Sequence, residues 1–133
     1  MTDGIGNDDA TKPPTVLLVE DDAKIRRWIH EGLERLGYNL LEAEDGADAL
    51  LIAELHRGPI DIVVTDVVMP RVNGTQLANG LIAQRPGIKV LFISGYPEPF
   101  MRTGTLSPDM KYYLQKPFEM TTLVNRITAI LTE

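Results

Sequence analysis

The sequence contains no cysteine in its 133 residues, which excludes a disulfide framework, thiolate metal sites and a cysteine nucleophile. It has no apolar run near the ~18 residues that a membrane-spanning helix needs, and its start lacks the pattern of a signal peptide. Acidic residues outnumber basic ones by 19 to 13, and the net charge is −6. A nucleic-acid-binding face is therefore not expected, because that function needs excess positive charge. The composition indicates a cytoplasmic protein that binds neither membranes nor nucleic acid.

The length and composition suit one globular domain. A chain of 133 residues with 44% hydrophobic residues can bury an ordinary core but leaves little room for a second domain. Residues 1–14 are polar and acidic, and we predict a disordered tail there. Residues 15–132 are then expected to form the domain.

Five short apolar runs alternate with helical segments and predict strands. They are TVLLVE at Thr15–Glu20, YNLLEA at Tyr38–Ala43, IDIVVT at Ile60–Thr65, IKVLFIS at Ile88–Ser94 and YYLQ at Tyr112–Gln115. The first, third and fourth runs are almost continuously apolar, which is typical of strands buried on both faces of a parallel sheet. The alternation predicts an α/β fold, a single doubly wound five-stranded parallel sheet with right-handed crossovers.

The segments between these runs have helical spacing. Four apolar residues form one stripe on the predicted first helix: Ile25, Ile29, Leu33 and Leu36. Asp22 suits the N-cap of this helix, and Gly37 suits the left-handed position after it. Further helices are expected at Gly46–Leu55, from Gly74 to before Pro86, and near the end of the chain. Proline and glycine are dense between Ser94 and Lys111, which predicts only a short or irregular helix there.

Chemically active side chains stand at the carboxyl ends of four of the predicted strands. They are Glu20-Asp21-Asp22 at the end of the first strand, Asp66 at the end of the third, Ser94-Gly95 at the end of the fourth and Lys116-Pro117 at the end of the fifth. Ligands of open α/β sheets bind at these carboxyl ends. Clustered carboxylates favour a hard cation such as Mg²⁺, and a lysine with a hydroxyl can stabilise a phosphoryl group in transfer. Taken singly, each of these signals is weak, because such residues are more often helix caps, turns or solvated surface.

These motifs resemble the receiver domain of response regulators and hybrid histidine kinases. The matching segments are VLLVEDD at Val16–Asp22, IVVTDVVMPRVNG at Ile62–Gly74, VLFISGY at Val90–Tyr96 and YLQKPF at Tyr113–Phe118. The resemblance implies the flavodoxin-like receiver fold with strand order 2-1-3-4-5. The stretches SGYPEPF and LSPDMKYYLQKPF are most similar to receivers of hybrid histidine kinases.

The resemblance also implies a phosphoacceptor and a metal site. Asp66 is expected to accept the phosphoryl group. Mg²⁺ is expected to bind Asp21, Asp66 and the main-chain carbonyl of Val68 directly, and Glu20 through water. Gly74 is expected to shape the loop after the acceptor.

Further roles follow from the same resemblance. Ser94, Gly95 and Lys116 are expected to contact the phosphoryl group, and the peptide bond between Lys116 and Pro117 is expected to be cis. Ser94 and Tyr113 are expected to form the switch. Their movement would change the surface built from the irregular fourth helical segment, the fifth strand and the last helix.

The remaining expectations concern partners and the lifetime of the phosphoryl group. The resemblance implies that Val68 and Tyr96 tune dephosphorylation and that Ile25 contacts the donor. His30 and His56 are interpreted as ordinary surface residues. The donor histidine is therefore expected on a histidine kinase or histidine phosphotransfer protein. The chain is interpreted as a signalling domain that assists its own phosphorylation and not as an enzyme, and as a monomer or weak dimer.

Three other interpretations compete with this one. A pseudo-receiver would bind partners without phosphorylation, but the set of Asp66, Ser94 and Lys116 argues against it. A phosphatase of the haloacid dehalogenase type needs a second aspartate where this chain has Val68. A flavin mononucleotide binder needs a phosphate-binding loop after the first strand, which the sequence lacks.

Overall fold

The computed structural model describes residues 13–67, 73–95 and 112–133. Within these ranges the apolar runs form five strands, three helices lie between successive strands, and a fourth helix follows the last strand. The strands are β1 (Thr15–Val19), β2 (Asn39–Ala43), β3 (Ile62–Asp66), β4 (Lys89–Ser94) and β5 (Tyr112–Gln115). The helices are α1 (Ala23–Glu34), α2 (Gly46–Leu55), α3 (Gly74–Gln84) and α4 (Met120–Leu131). Residues 1–12 of the predicted tail and 96–111 of the proline-rich stretch lie outside the described residues.

The strands form one parallel sheet in the order β2-β1-β3-β4-β5. The predicted fold is therefore confirmed. The order reverses between β1 and β3, and ligands of doubly wound sheets bind at such a reversal. Register places Asp66 opposite Ile93 and Ser94 opposite Gln115, so the carboxyl ends of the central strands form a common edge.

The sheet is buried on both faces because successive strand side chains point to opposite sides. On one face, side chains such as Leu17, Val63 and Phe92 pack against α2 and α3. On the other face, Leu18 and Val64 belong to a second core cluster that includes residues of α1 and α4. These strand side chains are fully buried, which explains why the central runs show no polar alternation.

Local signals set the ends of the helices. The Asp22 side chain accepts hydrogen bonds from the amides of Lys24 and Ile25, which satisfies the exposed N–H groups at the start of α1. Gly37 has φ +91°, a conformation that disfavours residues with a Cβ. Asn73 and Gln76 form a reciprocal capping box at the start of α3. The predicted cap and left-handed glycine of the first helix are both confirmed.

One member of the predicted apolar stripe does not face the core. Leu36 lies two residues beyond the end of α1, and it is 57% exposed. The apolar spacing continues past the point where the chain turns, so the prediction that Leu36 belongs to the stripe of the first helix was wrong. Ile29 and Leu33 are buried as predicted. None of the helices in the described ranges is long and apolar enough to cross a lipid bilayer.

Candidate functional site

The candidate site lies where four strands end at the carboxyl edge of the sheet. Glu20 follows β1, Asp66 is the last residue of β3, Ser94 is the last residue of β4 and Lys116 follows β5. Backbone hydrogen bonds tie these ends to neighbouring strands. The Lys116 amide donates to the Ser94 carbonyl at 2.7 Å, and the Glu20 amide donates to the Ala43 carbonyl at 3.2 Å. The sheet therefore brings together residues separated by almost a hundred positions.

Lys116 joins two of the carboxylates. Its Nζ atom donates to Asp66 Oδ2 at 2.8 Å and to Glu20 Oε1 at 3.1 Å. The Glu20 side chain is buried, and those of Asp66 and Lys116 retain limited access to solvent. Burial strengthens such charge interactions because less water screens them. The Lys116 ammonium group therefore interacts strongly with the carboxylates of both Asp66 and Glu20.

Asp21 completes an acidic group that can hold a metal ion. One carboxylate oxygen from each of Glu20, Asp21 and Asp66 lies within 4.8 Å of the others. Three acids beside one lysine leave negative charge uncompensated, and a cation would relieve their repulsion. Oxygen donors of this kind suit a hard divalent ion such as Mg²⁺. The side chains present therefore fit the expected metal.

Both carboxylate oxygens of Glu20 already have hydrogen-bond donors. Oε1 accepts from Lys116, and Oε2 accepts from the amide of Asp22 at 3.1 Å. Burial raises the pKa of Glu20 above its ordinary value, because desolvation outweighs these stabilising contacts. Burial lowers the pKa of Lys116, but its hydrogen bonds and charge interactions with Asp66 and Glu20 together raise it above the ordinary value. Lys116 therefore remains positively charged at neutral pH.

Gly74 lies against the backbone of the strand that carries Asp66. Its amide donates to the Val67 carbonyl at 2.8 Å. A Cβ atom at this position would lie 2.4 Å from the Asp66 carbonyl oxygen and 2.9 Å from the Val67 Cα. Only glycine fits this approach without displacing the backbone of Asp66.

The other expected phosphate-contacting residues lie on the same edge. Ser94 is buried at the end of β4, and Gly95 is the exposed residue after it. A Cβ at Gly95 would meet no heavy atom of the described residues within 4 Å, so crowding does not require glycine there. The peptide bond between Lys116 and Pro117 is cis.

Tyr113 lies further back along β5. It is partly buried and packs against the core cluster on the α2 and α3 face of the sheet. Its carbonyl accepts a hydrogen bond from Arg126 Nη1 of α4 at 2.5 Å. An open groove of about 610 Å³ runs between β5 and α4 beside Tyr113, Phe118 and Thr122. The tyrosine therefore links the sheet to a solvent-accessible surface.

Ile25 lies on the first turns of α1 and is half-buried against the α1 and α4 core cluster. Trp28 follows Ile25 by three residues and is partly exposed. The centroid of its ring lies 5.7 Å from that of the Phe118 ring. Val68 and Tyr96, the two positions expected to tune dephosphorylation, lie outside the described residues.

Sequence reasoning missed a polar network beside the acidic group. Arg26 donates to the Glu20 carbonyl, and its guanidinium also lies near Glu42 of β2. His30 is only 28% exposed at its side chain and also faces Glu42. The interpretation of His30 as an ordinary surface residue was therefore wrong. Arg26, His30 and Glu42 come into contact only when α1 packs beside β2, so no short sequence motif predicts the contact.

Comparison with known proteins identifies the family. The model of the response regulator receiver domain matches residues 16–128. Sensor kinase CckA of Brucella abortus is 41% identical over 124 residues, which cover 92% of this chain but 13% of that kinase. Response regulator receiver protein CpdR of the same organism is 34% identical over 116 residues, covering 87% of this chain and 95% of CpdR.

Solved structures agree with these relatives. The receiver domain of a hybrid histidine kinase CckA superposes with a TM-score of 0.76 at 34% identity, covering 88% of this chain and 98% of that one. Chemotaxis protein CheY4 of Vibrio cholerae superposes with a TM-score of 0.80 at 26% identity, covering 89% and 98%. The predicted likeness to receivers of hybrid histidine kinases is confirmed. With its fold and its acidic edge, the chain belongs to the response regulator receiver domain family of two-component signalling systems.

Proposed function

We propose that this domain accepts a phosphoryl group onto Asp66 from a phosphohistidine on a histidine kinase or histidine phosphotransfer protein. The observation that carries the proposal is the contact of 2.8 Å between Lys116 Nζ and Asp66 Oδ2, beside two further acids. The domain acts in the cytoplasm as a monomer or weak dimer. It is a signalling domain that assists its own phosphorylation and dephosphorylation, and it does not turn over a separate substrate as an enzyme does.

Asp21 and Asp66 would hold Mg²⁺ directly, together with the main-chain carbonyl of Val68, which lies outside the described residues. Glu20 would act through water, because Lys116 and the Asp22 amide already bind both of its oxygens. When bound, the ion supplies positive charge that offsets the carboxylates and the incoming phosphoryl oxygens.

In the transfer step, an Asp66 carboxylate oxygen forms a bond to phosphorus while the bond from phosphorus to the donor's imidazole nitrogen breaks. The electron pair of that bond stays on the imidazole, and an acyl phosphate forms on Asp66. Lys116 balances negative charge on the phosphoryl oxygens, and the Ser94 hydroxyl donates a hydrogen bond to them. Gly95 contacts the group and leaves its approach unobstructed.

The phosphoryl group then shifts the domain towards a second conformation. It adds about −1.5 to −2 charges at Asp66, and Ser94 moves towards the new oxygens. Tyr113 turns into the space that Ser94 leaves, which changes the surface formed by the segment after β4, by β5 and by α4. The partly buried position of Tyr113 beside an open groove supports this role.

Val68 and Tyr96 are proposed to tune the loss of the phosphoryl group. The apolar Val68 side chain offers no hydrogen bond to an attacking water. We therefore propose a long-lived phosphorylated state, and rapid loss of the group from the purified phosphoprotein would contradict this.

The test is intact mass measurement after incubation with Mg²⁺ and a small phosphodonor such as acetyl phosphate. Wild type should gain the mass of one phosphoryl group, and Asp66→Asn should gain none. Asp61→Asn is the matched control, because Asp61 lies before β3 at the opposite edge and accepts a hydrogen bond from the Thr15 amide. This control should be labelled like wild type.

Two results would contradict the proposal. Equal labelling of wild type and Asp66→Asn would show that the phosphoryl group is carried by another residue. No labelling of a folded wild type, with either the small donor or a phosphorylated histidine partner, would favour a pseudo-receiver that binds without chemistry.

A further inference from the structure

The Arg26 side chain connects the acidic group to the edge of the sheet. Arg26 lies on the first turns of α1, and its side chain is only 18% exposed. Its Nη1 atom donates to the Glu20 carbonyl at 2.7 Å. Its Nε atom lies 3.3 Å from Glu42 Oε1. One guanidinium group therefore contacts both the end of β1 and the side chain of a β2 residue.

Glu42 is itself held from two directions. His30 Nδ1 lies 2.7 Å from Glu42 Oε2, while Arg26 faces the other oxygen. The histidine contact has the distance of an ion pair but lacks hydrogen-bond alignment, and it is ionic only when His30 is protonated. His30 Nε2 also lies 3.6 Å from Glu34 Oε1. Arg26 is therefore fixed by Glu42 and is not a freely moving surface side chain.

The Glu20 carbonyl belongs to the peptide unit that leads into Asp21. This peptide unit is planar, so fixing the carbonyl oxygen also fixes the direction of the Asp21 amide and Cα. Asp21 is exposed, whereas Glu20 is buried. The backbone therefore has a large part in deciding where the Asp21 carboxylate lies relative to Asp66.

From these contacts we propose that Arg26 is a positioning residue for the metal site. It holds the peptide between Glu20 and Asp21 so that the Asp21 carboxylate faces Asp66, and Glu42 holds Arg26 in turn. The inference rests on the proposed function, because it assumes that Asp21 and Asp66 share Mg²⁺. Groups behind metal ligands act in this way by orienting the ligands.

Two effects of removing Arg26 have opposite signs. Loss of a positive charge near the acids strengthens Mg²⁺ binding through simple electrostatics. Loss of the hydrogen bond to the Glu20 carbonyl weakens Mg²⁺ binding, because the Asp21 carboxylate is then no longer held facing Asp66. Arg27 separates the two effects, because its side chain is 80% exposed and its ion pair with Glu31 has a distance of 3.9 Å. Arg27→Met makes the same charge change without touching the Glu20 carbonyl.

The experiment is calorimetric titration of Mg²⁺ into wild type, Arg26→Met, Arg26→Lys, Arg27→Met and Glu42→Gln. Arg26→Met should bind about 10-fold more weakly, the lower end of the range for lost outer ligands. Arg27→Met should bind as wild type or slightly more tightly. Glu42→Gln should fall between wild type and Arg26→Met, and Arg26→Lys should recover part of the loss. Urea unfolding without Mg²⁺ shows which variants remain folded.

Phosphorylation by a small donor gives a second readout. In Arg26→Met, the Mg²⁺ concentration for half-maximal rate should rise, while the rate at saturating Mg²⁺ should stay near that of wild type. If Arg26→Met binds Mg²⁺ as tightly as Arg27→Met, the positioning role is wrong. If Arg26→Met does not fold, an unchanged affinity in folded Glu42→Gln overturns it instead. Failure of wild type to bind Mg²⁺ would refute the proposed metal site itself, which is a separate outcome.

Discussion

Replacing Gly74 by alanine tests how tightly α3 approaches the strand that carries Asp66. The added Cβ would lie 2.4 Å from the Asp66 carbonyl oxygen, and contacts below 3.0 Å are essentially never found. The two backbones must therefore separate by at least about 0.6 Å. The opposing atoms are main-chain atoms of Asp66 and Val67, which cannot move aside by changing a rotamer.

Both stability and chemistry should suffer. Overpacking of this kind costs about 1–3 kcal/mol. With a urea dependence of about 1–3 kcal/mol per molar, the unfolding midpoint should fall by roughly 1 M. The displaced backbone also shifts the Asp66 carboxylate relative to Lys116. Since a misplacement of about 1 Å can slow a reaction about 100-fold, we expect phosphorylation to slow by roughly 10-fold.

The measurement uses urea unfolding followed by fluorescence, together with the rate of labelling by a small phosphodonor. Trp28 is the only tryptophan of the sequence, and its ring packs near that of Phe118. Gly80→Ala on the same helix is the matched control. Its Cβ would meet the end of the flexible Leu50 side chain at 2.8 Å, so stability should change by less than about 1 kcal/mol, and helix propensity favours alanine there. A Gly74→Ala domain with wild-type stability and labelling rate would refute the reasoning.

Two further predictions follow from the ionic contacts. The pKa of Glu20 is raised above 4.5, so its folded state binds a proton more tightly than its unfolded state, and stability is lost as pH rises from 4.5 through the raised value. In metal-free buffer, the free energy of unfolding of Glu20→Gln minus that of wild type should therefore increase as the pH rises through this range. A difference that does not change with pH would contradict the assignment. Arg85→Met should lower the free energy of unfolding, measured in urea, by about 2 kcal/mol. The Arg85 guanidinium donates hydrogen bonds to three carbonyls at and beyond the end of α2. Hydrogen bonds from a charged group are strong, but their contributions do not simply add. A loss below about 0.5 kcal/mol, typical of a surface substitution, would show that these bonds contribute little.

Local patterns in the sequence determined the fold and much of the candidate site. Continuous apolar runs identified the buried central strands, because both faces of a parallel sheet are covered. Asp22 and Gly37 marked the ends of α1 through their own backbone preferences. Asp66 and Lys116 could be placed at one edge because parallel strands carry their carboxyl ends to the same side. Each of these features depends on neighbours within a few positions, or on the topology alone.

Only the tertiary structure decided which side chains meet across elements. The approach of Gly74 to the Asp66 carbonyl depends on how α3 packs against the end of β3. The contacts of Arg26 with Glu20 and Glu42 require α1 to lie beside β2 at one register. Leu36 continues the apolar spacing but lies outside the core, because the chain turns before reaching it. Contacts between distant segments depend on packing geometry within fractions of an ångström, which hydrophobic periodicity does not encode.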